Sequence, residues 1–161
     1  MFYAILKTIH LLSIIVWIGG MAFAHFFLRP AVATLETPER VRLIHAVLGR
    51  FFNAVLVAGG LAVGSGLWMM GRIAKQTVQA GGQLNLPLEW MAMAVLGVTM
   101  LAIFSHTRFA LYPRLTRAVT AAAWPAGDAT LASIRTWLMV NLAIGVVIVA
   151  VTLLGLGAAG L

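Results

Sequence analysis

Residues Phe2 to Leu28 read FYAILKTIHLLSIIVWIGGMAFAHFFL and are followed by Arg29-Pro30. One cation, Lys7, lies near the start, and the remainder is apolar except for Thr8, His10, Ser13 and His25. As a helix rising ~1.5 Å per residue, this stretch spans ~40 Å, more than the ~30 Å hydrocarbon slab of a bilayer. It reads as a transmembrane helix that carries two imidazoles. Ionisable side chains are costly to hold inside a membrane helix, so His10 and His25 are functional candidates from the outset.

The whole chain supports that reading. Of its 161 residues, 62% are hydrophobic and 9% charged. A soluble domain of this size lacks the interior to bury so much apolar surface, so lipid must cover part of it. There are no cysteines, which excludes disulfides and thiolate metal sites. The net charge of +7 comes from eleven Lys and Arg against four acids. These cations sit in short segments beside apolar runs, where they set topology and meet lipid headgroups, so nucleic acid is not an expected partner. Ala22-Phe23-Ala24 has the form of a signal-peptidase site. The cationic leader region is missing and the apolar run is too long, so the segment is expected to be retained.

Three further apolar stretches give spans at about 2–28, 44–70, 88–111 and 134–157 in all. The connections are AVATLETPERVR, then GRIAKQTVQAGGQLNLP with Gly81-Gly82 and Pro87 as punctuation, then PRLTRAVTAAAWPAGDATLAS. The last is expected to be partly helical and to lie at the interface, with Trp124 as anchor. The expected fold is all-α: an integral membrane four-helix up-down bundle in a single transmembrane domain (1–161), with both termini on the same side. Gly60 and Gly64 are spaced as small-xxx-small and are expected to let helices approach closely. Asn141, polar at depth, is expected to find a partner across the bundle.

Let side A hold the termini and side B the opposite ends. Side A has Lys7, Arg72 and Lys75, whereas side B has Arg29, Arg40, Arg42, Arg50, Arg108, Arg114, Arg117 and Arg135. Cations accumulate on the cytoplasmic side of membrane proteins, so the arginine-rich loops are expected there, with the termini periplasmic.

A short internal repeat links spans one and three. Phe23-Ala24-His25 precedes Arg29-Pro30, and Phe104-Ser105-His106 precedes Arg108 and Tyr112-Pro113-Arg114. This alignment makes His25 and His106 pseudo-equivalent, facing one another near side B. Helical rise puts His10 roughly 7 Å from the slab centre toward side A, with His25, His106 and His45 roughly 15, 10 and 18 Å toward side B.

These levels suit two binding chemistries. On side B, His106 with His25 or His45 is the candidate axial pair of a b-type haem. Arg50 and Arg108, which lack a carboxylate partner inside any span, would hold its propionates or a lipid phosphate. On side A, His10 has Trp17 and Met21 near its face and methionines close to its level. Imidazole with thioether is a soft donor set suited to Cu(I), so the candidate metal ligands are His10, Met69 and Met91 at this level, and His45 and His106 in the separate side-B group. There is no phosphate-binding glycine loop, no paired intramembrane carboxylate and no serine elbow.

Several motifs in order carry a family resemblance. Lys7-x-x-His10, Trp17-x-Gly19-Gly20-Met21 and Leu28-Arg29-Pro30 resemble the opening of the CopD-like bacterial inner-membrane proteins, named for copper resistance protein D. Arg50-Phe51-Phe52, Ser65-Gly66-Leu67, His106 with Tyr112-Pro113-Arg114-Leu115, and Ile134-Arg135 with Asn141-Leu142 and Gly145 continue the resemblance along nearly the whole chain. The resemblance implies a multi-pass protein of the bacterial inner (plasma) membrane that binds or passes copper, with His10 and His106 as functional positions. The opening is also similar to the HemJ-type protoporphyrinogen oxidases, which bind haem. Three readings stand side by side: a copper-binding or copper-passing membrane protein served by a periplasmic copper carrier, a haem b protein in electron transfer or porphyrin oxidation, and a structural subunit of a larger membrane complex.

Overall fold

A computed structural model describes residues 1–81 and 88–158. Among them there is no strand. Helix α1 (Phe2–Phe23) runs through a π-helical turn, Ala24–Leu28, into the short α2 (Arg29–Ala31). Helix α3 (Thr37–Gln79) comes next. Then α4 (Leu88–His106) passes through a second π turn, Thr107–Leu111, into α5 (Tyr112–Thr120). Helix α6 (Trp124–Ala158) is the last of the described elements. Four rods, Phe2–Ala31, Thr37–Gln79, Trp90–Thr120 and Trp124–Leu154, are long and apolar enough to cross a membrane.

The rods overrun the boundaries read from hydropathy. Helix α3 has 43 residues, ~65 Å of helix, and so projects well beyond the apolar slab. It starts early because Thr37-Pro38-Glu39 makes a good first turn: Pro38 needs no donor there and Glu39 lies at the positive end of the helix dipole. The expected loop after span one therefore shrinks to a few residues before Thr37. Helix α3 stops just before Gly81, whose φ of +72° is the left-handed conformation that favours glycine after a helix. Gly82 and Pro87, the other expected breakers, lie outside the described residues. The third connection is partly helical, as expected. It is helical on both sides of a short turn at 121–123, so α5 and the start of α6 extend the rods.

Packing runs antiparallel in two pairs. His10 meets Ala62 and Ser65, Trp17 lies against Gly59, and Gly20 against Phe51, so α1 descends as α3 rises. Met100 touches Gly145 and His106 touches Trp137, which pairs α4 with α6 in the same sense. An aromatic seam joins the pairs: Trp17 and Phe52 both meet Phe104 edge-on, at 5.7 and 5.9 Å between centroids. Ile18 packs within 3.0 Å of the point where a Cβ on Gly145 would stand. Leu12, Ile15, Val57, Val98 and Val146 point outward, as lipid-facing residues do.

The glycine expectation is corrected by one helical position. Nothing lies within 4 Å of a Cβ built on Gly60 or Gly64, whereas one on Gly59 would stand 3.3 Å from the Trp17 ring and one on Gly66 3.3 Å from the His10 ring. The face that meets α1 is Gly59, Ala62, Ser65 and Gly66, because the two large flat side chains of α1 need clearance there. Gly59→Leu is therefore expected to destabilise by about 1–3 kcal/mol through overpacking, and Gly60→Leu by less than about 0.5 kcal/mol. Thermal unfolding of the two detergent-solubilised variants measures the difference.

Candidate functional site

His10 is half-buried between α1 and α3. Its Nδ1 lies 2.9 Å from the Ala62 carbonyl and 3.2 Å from the Ser65 hydroxyl. A carbonyl only accepts, so Nδ1 carries the proton and donates it. The Ser65 hydroxyl gives its own proton to carbonyls of its helix, so it too can accept from the ring. The neutral ring then holds a lone pair on Nε2, and that atom is buried without a partner. A histidine anchored through one nitrogen to a backbone carbonyl, with the other free, has the arrangement of a metal ligand. Met69 lies on the same stripe of α3 as Ala62 and Ser65, one turn nearer side A, and is half-buried.

The π turns sit where the prolines demand them. A proline inside a helix lacks a donor and crowds the carbonyl four residues back. Here each π turn ends two residues before a proline, Pro30 or Pro113, and the rod continues. The amide of Arg29 donates to the Ala24 carbonyl, and that of Tyr112 to the Thr107 carbonyl, five residues back in both cases. The internal repeat is thus present in the backbone, but its register differs from the one read in the side chains. The π turns align Phe23 with His106 and His25 with Arg108.

The second π turn builds a groove on α3. Arg108, His45, Arg50, Asn53, Gly49 and Tyr112 line it, and its volume is about 460 Å³. The Tyr112 ring stacks parallel on His45 at 5.0 Å. Its hydroxyl donates to the His45 carbonyl at 3.3 Å and occupies space that a Cβ on Gly49 would need. The Thr116 hydroxyl donates to the Tyr112 carbonyl, so it accepts from the Nε2–H of His45 at 2.9 Å. Arg108 lies 5.4 Å from the centroid of Tyr112 and 5.6 Å from that of Phe109.

A separate cavity of about 330 Å³ opens between α1, α3 and α6. Its floor is apolar, with Met21, Leu48 and Ile134, and its rim carries His25, Arg29 and Arg135. At its mouth Arg40 and Asp128 form an ion pair at 3.0 Å, and nearby Arg42 lies over the Trp124 ring at 4.7 Å.

The sequence-derived sites are therefore redistributed. Arg50 and Arg108 come together, and His45 joins them. His25 lines the other cavity, with its ring edge on Phe26 at 4.9 Å. His106 is exposed and meets Trp137 at 5.5 Å. No hydrogen bond or ring contact joins His25 to His106: counted from the π turns they differ by two positions, roughly 200° of helix rotation. Among the described residues no three of His, Asp and Glu gather as metal ligands. His10 stands alone at its end of the bundle, and Met91 is 51% exposed, turned away from the interior. Asn141 is buried and its Oδ1 has no partner, contrary to expectation. Sequence reading missed Ala62 and Gly49, and named Ser65 only within a family motif. Their signal was small size opposite a histidine or tyrosine, which acquires meaning only once the helices are paired.

The family model described as Copper resistance protein D matches residues 45–154, more than half of the sequence. The chain belongs to the CopD family. Within the match lie the groove and the anchors of His10, Ala62 and Ser65, whereas His10 and His25 precede it. Membership ties this four-rod membrane protein to copper resistance. No curated protein and no solved structure is similar enough to match the chain.

The ion pair at the cavity mouth is partly exposed, 26% for Arg40 and 51% for Asp128. Asp128→Asn is expected to cost at most about 1 kcal/mol and to lose its effect in high salt. Thermal unfolding of this CopD-family chain and the variant, at low and high ionic strength, checks both points.

Proposed function

We propose that this chain is a copper-binding protein of the bacterial inner membrane that takes Cu(I) inside the bundle on the Nε2 of His10. The observation that carries the reading is the buried, partnerless lone pair on that nitrogen. An unmade hydrogen bond inside a low-dielectric interior is expensive, and a soft metal ion would satisfy the atom. The Ala62 carbonyl supports the assignment by holding the ring in the tautomer that a metal needs. The Met69 thioether is the natural second donor, because Cu(I) prefers soft ligands and accepts low coordination. Family membership supplies the choice of copper over other soft ions.

The arginine excess on side B supports a cytoplasmic orientation of that side. His10 would then lie in the periplasmic half of the membrane, where a periplasmic copper carrier could deliver the ion. The haem reading draws no comparable support, since His106 lines no cavity with either His25 or His45.

The test is competition for Cu(I) between the detergent-purified protein and a chromophoric chelator. The wild type is expected to withhold about one equivalent, His10→Ala to withhold none, and Ser65→Ala to bind roughly tenfold more weakly through loss of the outer hydrogen bond. His45→Ala is expected to behave as wild type. Equal retention by wild type and His10→Ala, or no retention by either, overturns the reading.

A further inference from the structure

We propose that the groove between α3 and the second π turn is a phosphate site occupied by the headgroup of an anionic phospholipid. It uses residues at the opposite end of the bundle from His10 and is independent of the copper reading.

The groove is cationic and has no internal counterion. The Arg108 guanidinium lies against the Tyr112 and Phe109 rings, which restrict the directions its donors can take. One terminal nitrogen reaches Asn53 Oδ1 at 3.4 Å, and Nε is buried with no partner at all. Arg50 stands on the facing surface of α3 and touches only the Ala46 carbonyl, at 3.4 Å. No Asp or Glu lines the groove. Asp128 is engaged by Arg40, and Glu39 precedes Arg50 on α3 by three helical turns, ~16 Å. Two guanidiniums opposed across one groove repel each other unless an anion lies between them. Phosphate oxygens match the planar donor fork of arginine, so a phosphate group can take two donors from each side.

The level of the groove selects the source of that phosphate. On α3 the outward positions Leu56, Val57, Leu61 and Leu67 are apolar, and the outward positions Asn53 and Arg50, one turn beyond them, are polar. The contact of Tyr112 with Gly49 ties Arg108 to the same level. The groove therefore stands at the edge of the lipid-facing belt, where phospholipid phosphates lie. A volume of about 460 Å³ suits a glycerophosphate headgroup. The site is also built locally: the extra residue of the π turn rotates the downstream helix by roughly 100°, and Gly49 leaves room for the Tyr112 hydroxyl.

The experiment uses the full chain, delipidated in detergent and titrated with phosphatidylglycerol, phosphatidylcholine or inorganic phosphate, and read by native mass spectrometry and thermal unfolding. Phosphatidylglycerol is expected to stay bound and to raise the unfolding temperature by several degrees, well beyond the effect of phosphatidylcholine. Arg50→Gln, an exposed change that leaves the core intact, is expected to reduce retention at least fivefold, and Arg50→Gln with Arg108→Gln to abolish it. Arg117→Gln, an exposed arginine outside the groove, should retain lipid as the wild type does. Circular dichroism identifies any variant that has failed to fold, and Arg50→Gln alone then decides the matter. Equal retention of phosphatidylglycerol by wild type and Arg50→Gln overturns the proposal. Saturable binding of inorganic phosphate without preference for phosphatidylglycerol overturns the lipid source.

Discussion

Lipid offers no hydrogen bonds, so every backbone amide within the slab must find its partner inside the chain. Most features of this molecule trace back to that constraint. The chain has no strands among its described residues and crosses as rods. Even Pro30 and Pro113, which ordinarily end helices, leave the rods continuous, because a π turn before each one lets the next amide reach five residues back instead of four. The cost of a proline inside a continuous helix is met by inserting one residue of helix, and that insertion reorients the side chains downstream of it. A backbone necessity thereby becomes the device that turns Arg108 and Tyr112 toward α3.

The same constraint sharpens the few polar groups left in the interior. Ser13 and Thr107 return their hydroxyl protons to carbonyls one turn earlier and so neutralise themselves. His10 cannot do so, because an imidazole has two nitrogens on opposite edges. One edge is satisfied by Ala62, and the other is left with a lone pair. At the opposite end the imbalance has the other sign: Arg50 and Arg108 have more donors than the protein has acceptors for them. The two proposals thus put ligands of opposite charge at the two ends, a soft cation near the termini and an anion near the arginine-rich loops. The aromatic seam of Trp17, Phe52 and Phe104 lies between them.

Family membership and structure bear on different parts of this picture. The CopD match covers residues 45–154 and connects the chain to copper resistance, but His10 lies before it. The case for His10 as a ligand is therefore chemical: a fixed tautomer, an orphaned nitrogen and a thioether on the facing stripe. The haem reading weakens on equally particular grounds. It needed His106 to face His25 or His45, and His106 lines neither the cavity of His25 nor the groove of His45.

Hydropathy alone was enough to determine four spans, their up-down order and the arginine bias, because insertion in lipid depends on runs of apolar residues and on charges at their ends. The ends of the rods were less legible, since an extension such as 71–79 reads as a polar loop while its helical hydrogen bonding is invisible in composition. Which histidine meets which partner was decided only by tertiary structure. Facing residues depend on helix rotation: each residue turns a helix by roughly 100°, and His25 and His106, aligned by sequence spacing, differ by two positions counted from the π turns. For that reason Gly59 packs where Gly60 was expected, and Arg108 joins His45 in a groove that His25 does not reach.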